Sequence, residues 1–592
     1  MRRNEPDRPH LTCGGCRRRS GSCQLSGAPA EVACRAPPER AAAKGSNALN
    51  FHVFPAGRPR LGSVTLSIIV ALYVLVLLNR SFWAQSLTVL AGQKMALLGL
   101  VVSLAAGFIA LFVSFSVKYI MKPLLILLVV TAAAASWFMD QFGVIIDSDM
   151  IRNAAETTSA EAGHLLTPGF VIHMGAYALL PALLIGWVRI RHHSFPKKLA
   201  MNLAVILPAL LVFAGAGLSH AGTYAFTIRQ NREWFATLNP VMPIANAVAY
   251  LQKLRQERGV TVQPYGTDAR VADAAAAAQR KPRVTIIVVG ETARASSFSL
   301  GGYERPTNPE LSRRDIFYFD KAQSCGTATA ISVPCMFSGL GHDDYSHMGA
   351  LERQNLMDVL VHAGIRAEWW DNNTGSKGVA ARIPYKELYR STDSRFCENG
   401  ECKDAILLDQ LDNWLSSVTR DSVLVLHQLG SHGPAYYARY PDEYRVFQPD
   451  CRSAEFSKCH RPEIINAYDN SILYTDHILA TIIDRLKAAE NHVAPTMIYM
   501  SDHGESLGEK GLFLHGAPWV VAPEQQTHIP FLLWLGKDAK AGIDLACMEK
   551  RKTEPVSHDN LFPTVLGLMH VQTEVRDASL DLYSGCLPKP TS

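Results

Sequence analysis

The chain has 592 residues, its composition is 48% hydrophobic, and its formal net charge is only +5 at pH 7. A single hydrophobic core seldom supports this length, so we expect at least two structural units. No RNP-type run, zinc finger or basic helix occurs in the sequence, which argues against nucleic acid as a partner.

The first 60 residues differ in composition from the rest of the chain. They carry ten arginines, one lysine and four cysteines among many Gly, Pro and Ser residues, and they show no apolar periodicity. This composition is typical of disordered segments, so residues 1–60 are predicted to form a disordered basic tail. Cys13 and Cys16 have the spacing of a metal-binding pair, but we assign no function to this segment.

Five stretches without Asp, Glu, Lys or Arg follow the tail. They are Leu61–Asn79, Met95–Val117, Pro123–Met139, Leu165–Val188 and Leu199–His220. Most approach the roughly 20 residues that cross a bilayer core, and the third does so if Lys122 snorkels to the interface. The pattern predicts a transmembrane domain of five helices at residues 61–220. A buried core helix is the alternative for any single stretch.

The placement of Lys and Arg predicts the topology. The N-terminal tail, the Lys118–Lys122 turn and the Arg189–Lys198 loop are basic, whereas the Arg80–Gly92 and Asp140–Thr167 loops contain few basic residues. The positive-inside rule therefore places the N-terminus in the cytoplasm and everything after His220 outside. No cleavage site follows the first stretch, which is thus expected to remain as an anchor.

An amphipathic segment, Tyr224–Arg258, follows the fifth stretch and contains Trp234 and Phe235. It fits an interfacial segment with aromatic side chains at the depth of the lipid headgroups, or equally a linker helix packed on a soluble domain. Together with Gly259–Lys281 it makes residues 221–281 the predicted bridge to the remaining chain.

From Pro282 onward, short apolar runs alternate with helix-like stretches. The runs are Val284–Val289, Ala367–Trp370, Val423–His427, Met497–Met500 and Phe531–Leu535, and the helix-like stretches include Leu351–His362, Ala405–Val418 and Ile464–Ala488. Continuous apolar strands are typical of a sheet that is buried on both faces. Residues 282–592 are therefore predicted to form an α/β domain with a mostly parallel, helix-covered sheet.

All of these runs except the last end in chemically capable residues. Because ligands of open α/β sheets bind beyond the carboxyl ends of the strands, four separate segments are expected to converge on one site. Glu291, Asp502 and His503 then provide two carboxylates and an imidazole, which is a plausible metal-binding set. Singly, Glu291 could equally cap a helix or form a salt bridge, and Asp502 and His503 could lie in a solvated turn.

A hydroxyl nucleophile is expected from the small-residue run Ser324–Ala330. A hydroxyl at the start of the following helix would lie where backbone N–H groups favour a phosphate. Reasoning from the residues alone does not choose among Ser324, Thr327 and Thr329.

Eight of the twelve cysteines lie after residue 282, several of them in close pairs. An even number in a domain outside the cytoplasm favours disulfides. A cysteine-ligated zinc site is the alternative, although the pairs lie far apart in the sequence.

Six motifs in order carry a resemblance to a known family. They are Gly290–Arg294 (GETAR), Cys325–Cys335 (CGTATAISVPC), Asp371–Gly378 (DNNTGSKG), Ser431–Pro434 (SHGP), Ser501–Ser506 (SDHGES) and Leu514–Pro518 (LHGAP). From about Leu61 to its C-terminus the chain resembles the lipid A phosphoethanolamine transferases, which include the mobile colistin-resistance enzymes. This family lies within the alkaline phosphatase/sulfatase superfamily, and the resemblance implies a catalytic domain of that type.

The resemblance also implies roles for individual residues. The nucleophile corresponds to Thr329, and the Zn²⁺ ligands correspond to Glu291, Thr329, Asp502 and His503. Substrate and catalytic positions correspond to Asn373, Lys377, His432, Glu505 and His515. Family disulfides match Cys325–Cys335, Cys451–Cys459 and Cys397–Cys402, whereas the resemblance assigns no partner to Cys547 or Cys586.

By the same resemblance, Thr329 attacks phosphatidylethanolamine, diacylglycerol leaves, and a phosphate of lipid A then takes phosphoethanolamine from the phosphothreonine. Lys377 would neutralise phosphoryl charge, and His432 or His515 would protonate the leaving group. The implied protein is a monomer in the bacterial inner membrane with its catalytic domain in the periplasm. Its product would weaken the attraction of the surface for polymyxins.

Other functions remain open at this stage. The acceptor could be the 1- or 4′-phosphate of lipid A, a sugar of the lipopolysaccharide core or another glycan. A membrane-anchored sulfatase or phosphodiesterase would use water instead, although the Cys-x-Pro-x-Arg motif of sulfatases is absent. A sensor with a degenerate catalytic domain is disfavoured, because Glu291, Thr329, Asp502 and His503 are all present.

Overall fold

The computed structural model describes residues 58–191, 193–231, 233–272 and 279–587. The predicted tail, with Cys13, Cys16, Cys23 and Cys34, and most of the alanine-rich stretch 272–278 lie outside the described residues.

The first part of the described chain is mainly helical. Its helices are α1 (Ser63–Leu77), α2 (Arg80–Val89), α3 (Lys94–Ser114), α4 (Met121–Phe142), α5 (Ser148–Glu156), α6 (Ser159–Leu165), α7 (Pro168–Met174), α8 (Leu180–Trp187), α9 (Phe195–Leu218), α10 (Ala221–Gln230) and α11 (Val241–Glu257). Two short strands, β1 (Arg60–Gly62) and β2 (Arg189–Arg191), pair in parallel.

Four helical stretches in the described residues are long and apolar enough to cross a membrane, and the bent pair α1–α2 makes five. The α7–α8 stretch is continuous through one π-helical segment, Gly175–Leu179. Four of the predicted spans therefore correspond to single long apolar helices, and the first corresponds to the bent pair α1–α2, whose second helix occupies the predicted Arg80–Gly92 loop. The third is lengthened as expected, because α4 begins at Met121 and the Lys122 ammonium donates to the Gly186 carbonyl oxygen at 2.8 Å.

Trp234 of the amphipathic segment packs inside the helical core. Its side chain is fully buried in the core of the membrane helices, where its ring lies against Phe82 and its N–H donates to Ser86 Oγ at 2.8 Å. A buried indole needs a partner for its N–H, and the Ser86 hydroxyl supplies it. The Trp234 ring therefore packs within the membrane-helix core, whereas the headgroup depth expected for this segment stays a prediction.

The second part alternates strands with helices. Its helices are α12 (Thr329–Ser338), α13 (His347–Leu351), α14 (Leu356–His362), α15 (Leu411–Ser416), α16 (Arg461–Ala488), α17 (Glu524–Thr527), α18 (Lys537–Lys540), α19 (Leu545–Arg551) and α20 (Leu561–Leu568). Its strands are β3 (Arg270–Val271), β4 (Arg283–Gly290), β5 (Ile316–Gln323), β6 (Arg366–Asp371), β7 (Tyr385–Glu387), β8 (Cys397–Glu398), β9 (Glu401–Cys402), β10 (Ser422–His427), β11 (Ala494–Ser501), β12 (Ser506–Leu507), β13 (Phe513–Leu514), β14 (His528–Leu535), β15 (Val556–Ser557) and β16 (Val571–Gln572).

Eight of these strands form the main sheet, in the order β15-β5-β14-β11-β4-β10-β6-β7. Only β14 runs against its neighbours β11 and β5, so the predicted mostly parallel sheet is confirmed. Alternate residues of β4 point to opposite faces, with Ile286 in one hydrophobic cluster and Ile287 in the other. Both faces are buried, which explains the continuous apolar runs.

Two predicted helices differ from the structure. The stretch Leu351–His362 becomes a helix only from Leu356, where Asn355 and Asp358 form a capping box. The stretch Ala405–Val418 divides into a 3₁₀ turn, Asp404–Leu408, and α15. The Asp404 carboxylate at the start of this turn accepts the Leu429 and Gly430 amide hydrogens from another loop, so it supports that loop.

Four disulfides lie in this domain. Cys325–Cys335, Cys397–Cys402 and Cys451–Cys459 are bonded as the resemblance implies. Cys547 is bonded to Cys586, which settles the pair that the sequence left open. The disulfide interpretation is thereby confirmed over the zinc-site alternative for all eight cysteines.

Candidate active site

The candidate site lies at the carboxyl edge of the central parallel strands. Glu291 follows β4, Asp502 and His503 follow β11, and Asn373 comes two residues after β6. Because β6, β10, β4 and β11 are parallel neighbours, their ends meet at one edge of the sheet. The expected convergence of four segments is what the structure contains.

Glu291, Asp502 and His503 form a buried cluster in which one ligand atom from each lies within 4.8 Å of the others. His503 Nε2 lies 3.5 Å from Glu291 Oε1 and 3.3 Å from Asp502 Oδ2. The other ring nitrogen, Nδ1, lies 2.9 Å from the Gly504 carbonyl oxygen. A ring held in this way donates from Nδ1 and presents the lone pair of Nε2 to the cluster.

This cluster fits a cation. Glu291 Oε1 and Asp502 Oδ2 are buried without a hydrogen-bond partner, which is costly for carboxylate oxygens. Burial and the neighbouring Asp502 carboxylate raise the pKa of Glu291 well above its usual value. A divalent cation would offset both the desolvation and the repulsion, and two carboxylates with an imidazole are ordinary ligands of Zn²⁺.

Thr329 is the hydroxyl residue that faces the cluster. It is the first residue of α12, and its Oγ1 donates to Glu291 Oε2 at 3.1 Å and lies 3.3 Å from His503 Nε2. Ser324 and Thr327 direct their hydroxyls elsewhere, to the carbonyl oxygens of Gly326 and Ala517. The geometry thus separates three candidates that the sequence alone did not.

Asn373 supports the cluster from the neighbouring strand. Its amide nitrogen donates to Glu291 Oε2 at 2.6 Å and lies 3.2 Å from His427 Nε2. The Asp371 carboxylate holds His427 Nδ1 at 3.0 Å and accepts the Asn373 backbone N–H. This arrangement fixes the orientation of Glu291. The Asp371–His427 contact was not predicted, although both residues end neighbouring strands.

His515, Glu505 and His432 lie on the other side of His503. The His515 and His503 ring centroids are 4.4 Å apart, and the His515 and His432 centroids are 5.3 Å apart. Glu505 accepts from His515 Nδ1 at 2.9 Å and from the Tyr436 hydroxyl at 2.5 Å. Tyr436 is a contact that sequence reasoning did not assign.

The two outer histidines have opposite protonation preferences. Burial lowers the pKa of His515, but the Glu505 carboxylate outweighs burial and the pKa ends above its usual value. Burial lowers the pKa of His432 to well below its usual value, and His515 and Arg439 lower it further. His515 therefore holds a proton more readily than an ordinary histidine, whereas His432 favours the neutral form.

The loop between α4 and α7 contributes two carboxylates to the site. Glu156, the last residue of α5, pairs with the Lys377 ammonium at 3.0 Å, and Glu161 of α6 lies 3.2 Å from His432 Nε2. From the sequence, this loop served only to predict the orientation of the membrane helices. The acidic composition of the loop was the only sequence feature that could have indicated these contacts. Partners more than 200 positions apart leave no local pattern in the sequence.

Three of the seven described non-glycine residues with positive φ angles lie at the site or beside it. Thr292, Lys377 and Leu514 have positive φ angles of 52°, 51° and 65°, and each is a site residue or adjacent to one. Such conformations cost about 1–3 kcal/mol and persist only where surrounding contacts impose them. Gly430 has φ +53°, and a Cβ there would lie 2.6 Å from the Glu291 carbonyl oxygen, so this position requires glycine.

Glu401 joins the membrane-helix loop to the catalytic domain, because its carboxylate contacts His164 Nε2 at 2.8 Å and Arg439 Nη2 at 3.0 Å. Burial raises its pKa, but Arg439 and His164 outweigh burial and lower the pKa to about 2. A depressed pKa stabilises the folded state above the unfolded-state pKa of about 4.5, and this contribution is lost as the pH falls toward 2.

We therefore expect Glu401→Gln to lower the free energy of unfolding at pH 7 by about 3 kcal/mol. Melting curves of the purified protein from pH 7 to pH 2 would measure the difference from the parent, which should shrink below pH 4.5. Glu398→Gln, an exposed change in the same hairpin, is the control. A difference that stays constant with pH would contradict the ionic origin.

Comparison with known proteins gives matches in both parts of the chain. The family model described as phosphoethanolamine transferase EptA/EptB matches residues 104–254, and the sulfatase model matches residues 283–571. Phosphoethanolamine transferase EptA of Salmonella typhimurium is 37% identical over 540 residues, which cover 89% of this chain and 98% of that protein. Phosphatidylethanolamine transferase Mcr-1 of Escherichia coli is 37% identical over 470 residues, which cover 78% of this chain and 85% of that protein.

A solved structure covers both parts together. It is the integral membrane protein lipooligosaccharide phosphoethanolamine transferase A of Neisseria meningitidis, with a TM-score of 0.86 and 33% identity. The match covers 90% of this chain and 100% of the other, so the membrane helices and the α/β domain are both included.

Proposed function

Because the chain belongs to the phosphoethanolamine transferases of the EptA type, we propose that it is an enzyme that moves phosphoethanolamine from phosphatidylethanolamine to a phosphate of lipid A. The observation that carries this proposal is the position of the Thr329 hydroxyl between Glu291 and His503. These residues belong to a buried cluster whose partnerless carboxylate oxygens fit a cation. Two relatives, a phosphatidylethanolamine transferase and a lipooligosaccharide phosphoethanolamine transferase, support phosphatidylethanolamine as donor and a lipooligosaccharide as acceptor.

We assign Zn²⁺ to the cluster, held by Glu291, Asp502 and His503 with the Thr329 hydroxyl. When bound, the ion would act as a Lewis acid that favours ionisation of the hydroxyl and offsets negative charge on the phosphoryl group. The two partnerless carboxylate oxygens support this assignment.

Transfer proceeds in two steps in this proposal. Thr329 Oγ1 loses its proton and bonds to phosphorus while the bond from phosphorus to the diacylglycerol oxygen breaks. That oxygen gains one proton, so the step releases diacylglycerol with no net change in protons, and phosphoethanolamine remains on Thr329. A phosphate oxygen of lipid A then attacks the same phosphorus and releases Thr329. The Lys377 ammonium and the hydrogen-bond donors near Asn373 offset the negative charge that develops on the phosphoryl oxygens.

His515 is the better candidate for the acid that protonates the leaving diacylglycerol oxygen. Glu505 raises the pKa of His515 above its usual value, whereas burial lowers the pKa of His432 well below its usual value, so His515 is the better proton donor of the two. Two titratable groups whose environments separate their pKa values in this way commonly take different roles in catalysis. His432 then serves to position the substrate.

The ammonium of phosphoethanolamine requires an acceptor, and Glu161 is placed for it. Glu161 is the carboxylate next to His432, and burial raises its pKa while His515 and Arg439 lower it. A cation beside it would favour its charged form. We infer that Glu161 binds the ammonium while Lys377 exchanges Glu156 for the phosphate.

Glu161→Gln is expected to raise the KM for phosphatidylethanolamine about tenfold with a smaller change in kcat, because the ammonium keeps its charge during the reaction. Initial rates in vesicles of varied phosphatidylethanolamine content would measure both constants. Asp149→Asn is the matched control, since Asp149 lies on the same loop and is half exposed. An unchanged KM would remove Glu161 from substrate recognition.

Membrane attachment places this chemistry where both lipids lie. We propose that the protein is a monomer in the bacterial inner membrane, with residues 282–592 in the periplasm and residues 221–281 as the bridge. The basic turns on one side of the spans support this orientation. The predicted weakening of polymyxin attraction follows from adding an ammonium to a lipid phosphate.

Mass spectrometry of lipid A from a Gram-negative host that expresses the chain tests the proposed function. We expect a phosphoethanolamine-sized addition, absent from the host with empty vector, and fragmentation would assign it to the 1- or 4′-phosphate. An addition confined to core sugars would make the core the acceptor. No addition by a well-expressed, membrane-inserted protein would contradict transfer.

A further inference from the structure

The membrane helices enclose a cavity at the end remote from the catalytic cluster. We call it the basic cavity; its volume is about 1020 Å³, and its cationic lining consists of Arg58, Lys118, Lys122, Arg189, Arg191 and Lys198. The helix α4 starts beside this cavity, and its other end, Phe142, packs on Phe456 of the catalytic domain. A helix of 22 residues is about 33 Å long, so the basic cavity and the catalytic domain lie at opposite membrane faces.

The charge of the basic cavity is not balanced by nearby carboxylates. No Asp or Glu is among the described residues that line it, and the two strands beside it place Arg60 opposite Arg189. Like charges directly opposite each other on neighbouring strands repel. An anion held between these side chains would relieve the repulsion.

The wall of the cavity also holds fixed polar groups. The Lys198 ammonium donates to the hydroxyls of Ser63 and Ser116, so it is anchored at the wall. Asn202, which is 9% exposed, has a buried Oδ1 atom without a partner. This oxygen accepts hydrogen bonds, so an occupant that satisfies it would carry a hydrogen-bond donor, such as a hydroxyl, as well as a negative charge.

An apolar groove continues from the basic cavity along α3 and α9. Its volume is about 670 Å³, it is lined by residues such as Leu104, Phe108 and Leu210, and it shares Ser114 and Ile206 with the basic cavity. A free phosphate ion would gain no binding energy from this apolar groove, whereas an acyl chain would bury its apolar surface there.

We propose that the basic cavity binds the headgroup of an anionic glycerophospholipid, with one acyl chain in the α3–α9 groove. Phosphatidylglycerol has the required chemistry, because its phosphate suits the basic side chains and its glycerol hydroxyls suit Asn202. Basic pockets between membrane helices are suited to such headgroups. This site lies in the leaflet opposite the catalytic domain and is independent of the proposed transfer reaction.

Thermal melting of the full-length protein in detergent tests the site directly. Phosphatidylglycerol should raise the melting temperature in a concentration-dependent way, whereas phosphatidylethanolamine and inorganic phosphate should not. The double variant Arg189→Gln/Arg191→Gln should bind phosphatidylglycerol about tenfold more weakly or worse. Lys197→Gln, a neighbour that does not line the cavity, should respond as the parent does.

Three outcomes would overturn the proposal. A full response to inorganic phosphate would make the occupant a free anion, and an equal response to phosphatidylethanolamine would remove the selectivity for anionic lipid. An equal loss in the Lys197→Gln variant would indicate general surface charge and no defined site. Because Lys198 also anchors two hydroxyls, the exposed arginines are the variants of choice.

Discussion

Thr329→Ala is expected to abolish phosphoethanolamine transfer, with a loss of at least about 10³-fold in kcat/KM. The variant removes the hydroxyl that lies between Glu291 and His503, and no other described hydroxyl takes this place, since Thr327 donates to Ala517. The backbone should tolerate the change, because alanine is a good residue for the start of α12. Transfer of a labelled headgroup between lipids in vesicles would measure the rate.

Two further variants make this result specific. Thr327→Ala should keep most of the activity, because its hydroxyl bonds to a carbonyl away from the cluster. Thr329→Ser should retain measurable activity and still form a labelled covalent intermediate. Transfer by the Thr329→Ala variant at a rate near that of the parent would show that the acceptor attacks the donor directly, without an intermediate on this residue.

Much of the catalytic fold could be predicted because buried strands leave a strong local signal. The run Val284–Val289 is continuous and apolar because both faces of β4 are covered, and the same holds for β11. The strand β5, with the sequence IFYFDKAQ, was not predicted. Its second half carries Asp320 and Lys321, and β15 beside it has only two residues, so the edge of the sheet has a weaker pattern.

The candidate site could be predicted only as far as strand order determines it. Glu291, Asp502 and His503 follow two strands that are parallel neighbours, so their meeting follows from the topology. Glu156 and Glu161 belong to the membrane-helix segment. Their contacts with Lys377 and His432 depend on how the membrane helices pack against the catalytic domain. No periodicity or spacing within one segment encodes such a contact.

The choice of nucleophile shows the same limit on a smaller scale. Ser324, Thr327 and Thr329 share one short run, and each has a hydroxyl of similar chemistry. Their partners differ because Ser324 bonds to Gly326 within the run, Thr327 to the Ala517 carbonyl oxygen and Thr329 to Glu291, and the last two partners are distant in the sequence. The resemblance selected Thr329, whereas the residues alone gave three equal candidates.

Asp502→Asn is expected to reverse the order of stability between the parent and the variant on metal removal. Asn Oδ1 keeps the bonds that Asp502 Oδ1 accepts from the Thr292 and His503 amides, while an amide N–H replaces the partnerless Oδ2 beside Glu291. Without metal, the variant loses one of two mutually repelling buried carboxylates. It should therefore melt a few degrees above the metal-free parent.

With Zn²⁺ present the order should invert. The parent gains binding free energy from its two carboxylates and His503, whereas the variant lacks one charged ligand and should bind the ion at least about 100-fold more weakly. Metal analysis would measure Zn²⁺ binding, and melting curves with and without chelator would measure stability. Transfer rates would measure activity on the same samples. Asp412→Asn, an exposed change on α15, should respond to chelation as the parent does. A metal-free variant that melts below the metal-free parent would mean that Asp502 stabilises the fold through its own charge, so the cluster would be a structural ion network and no longer a site held ready for a cation.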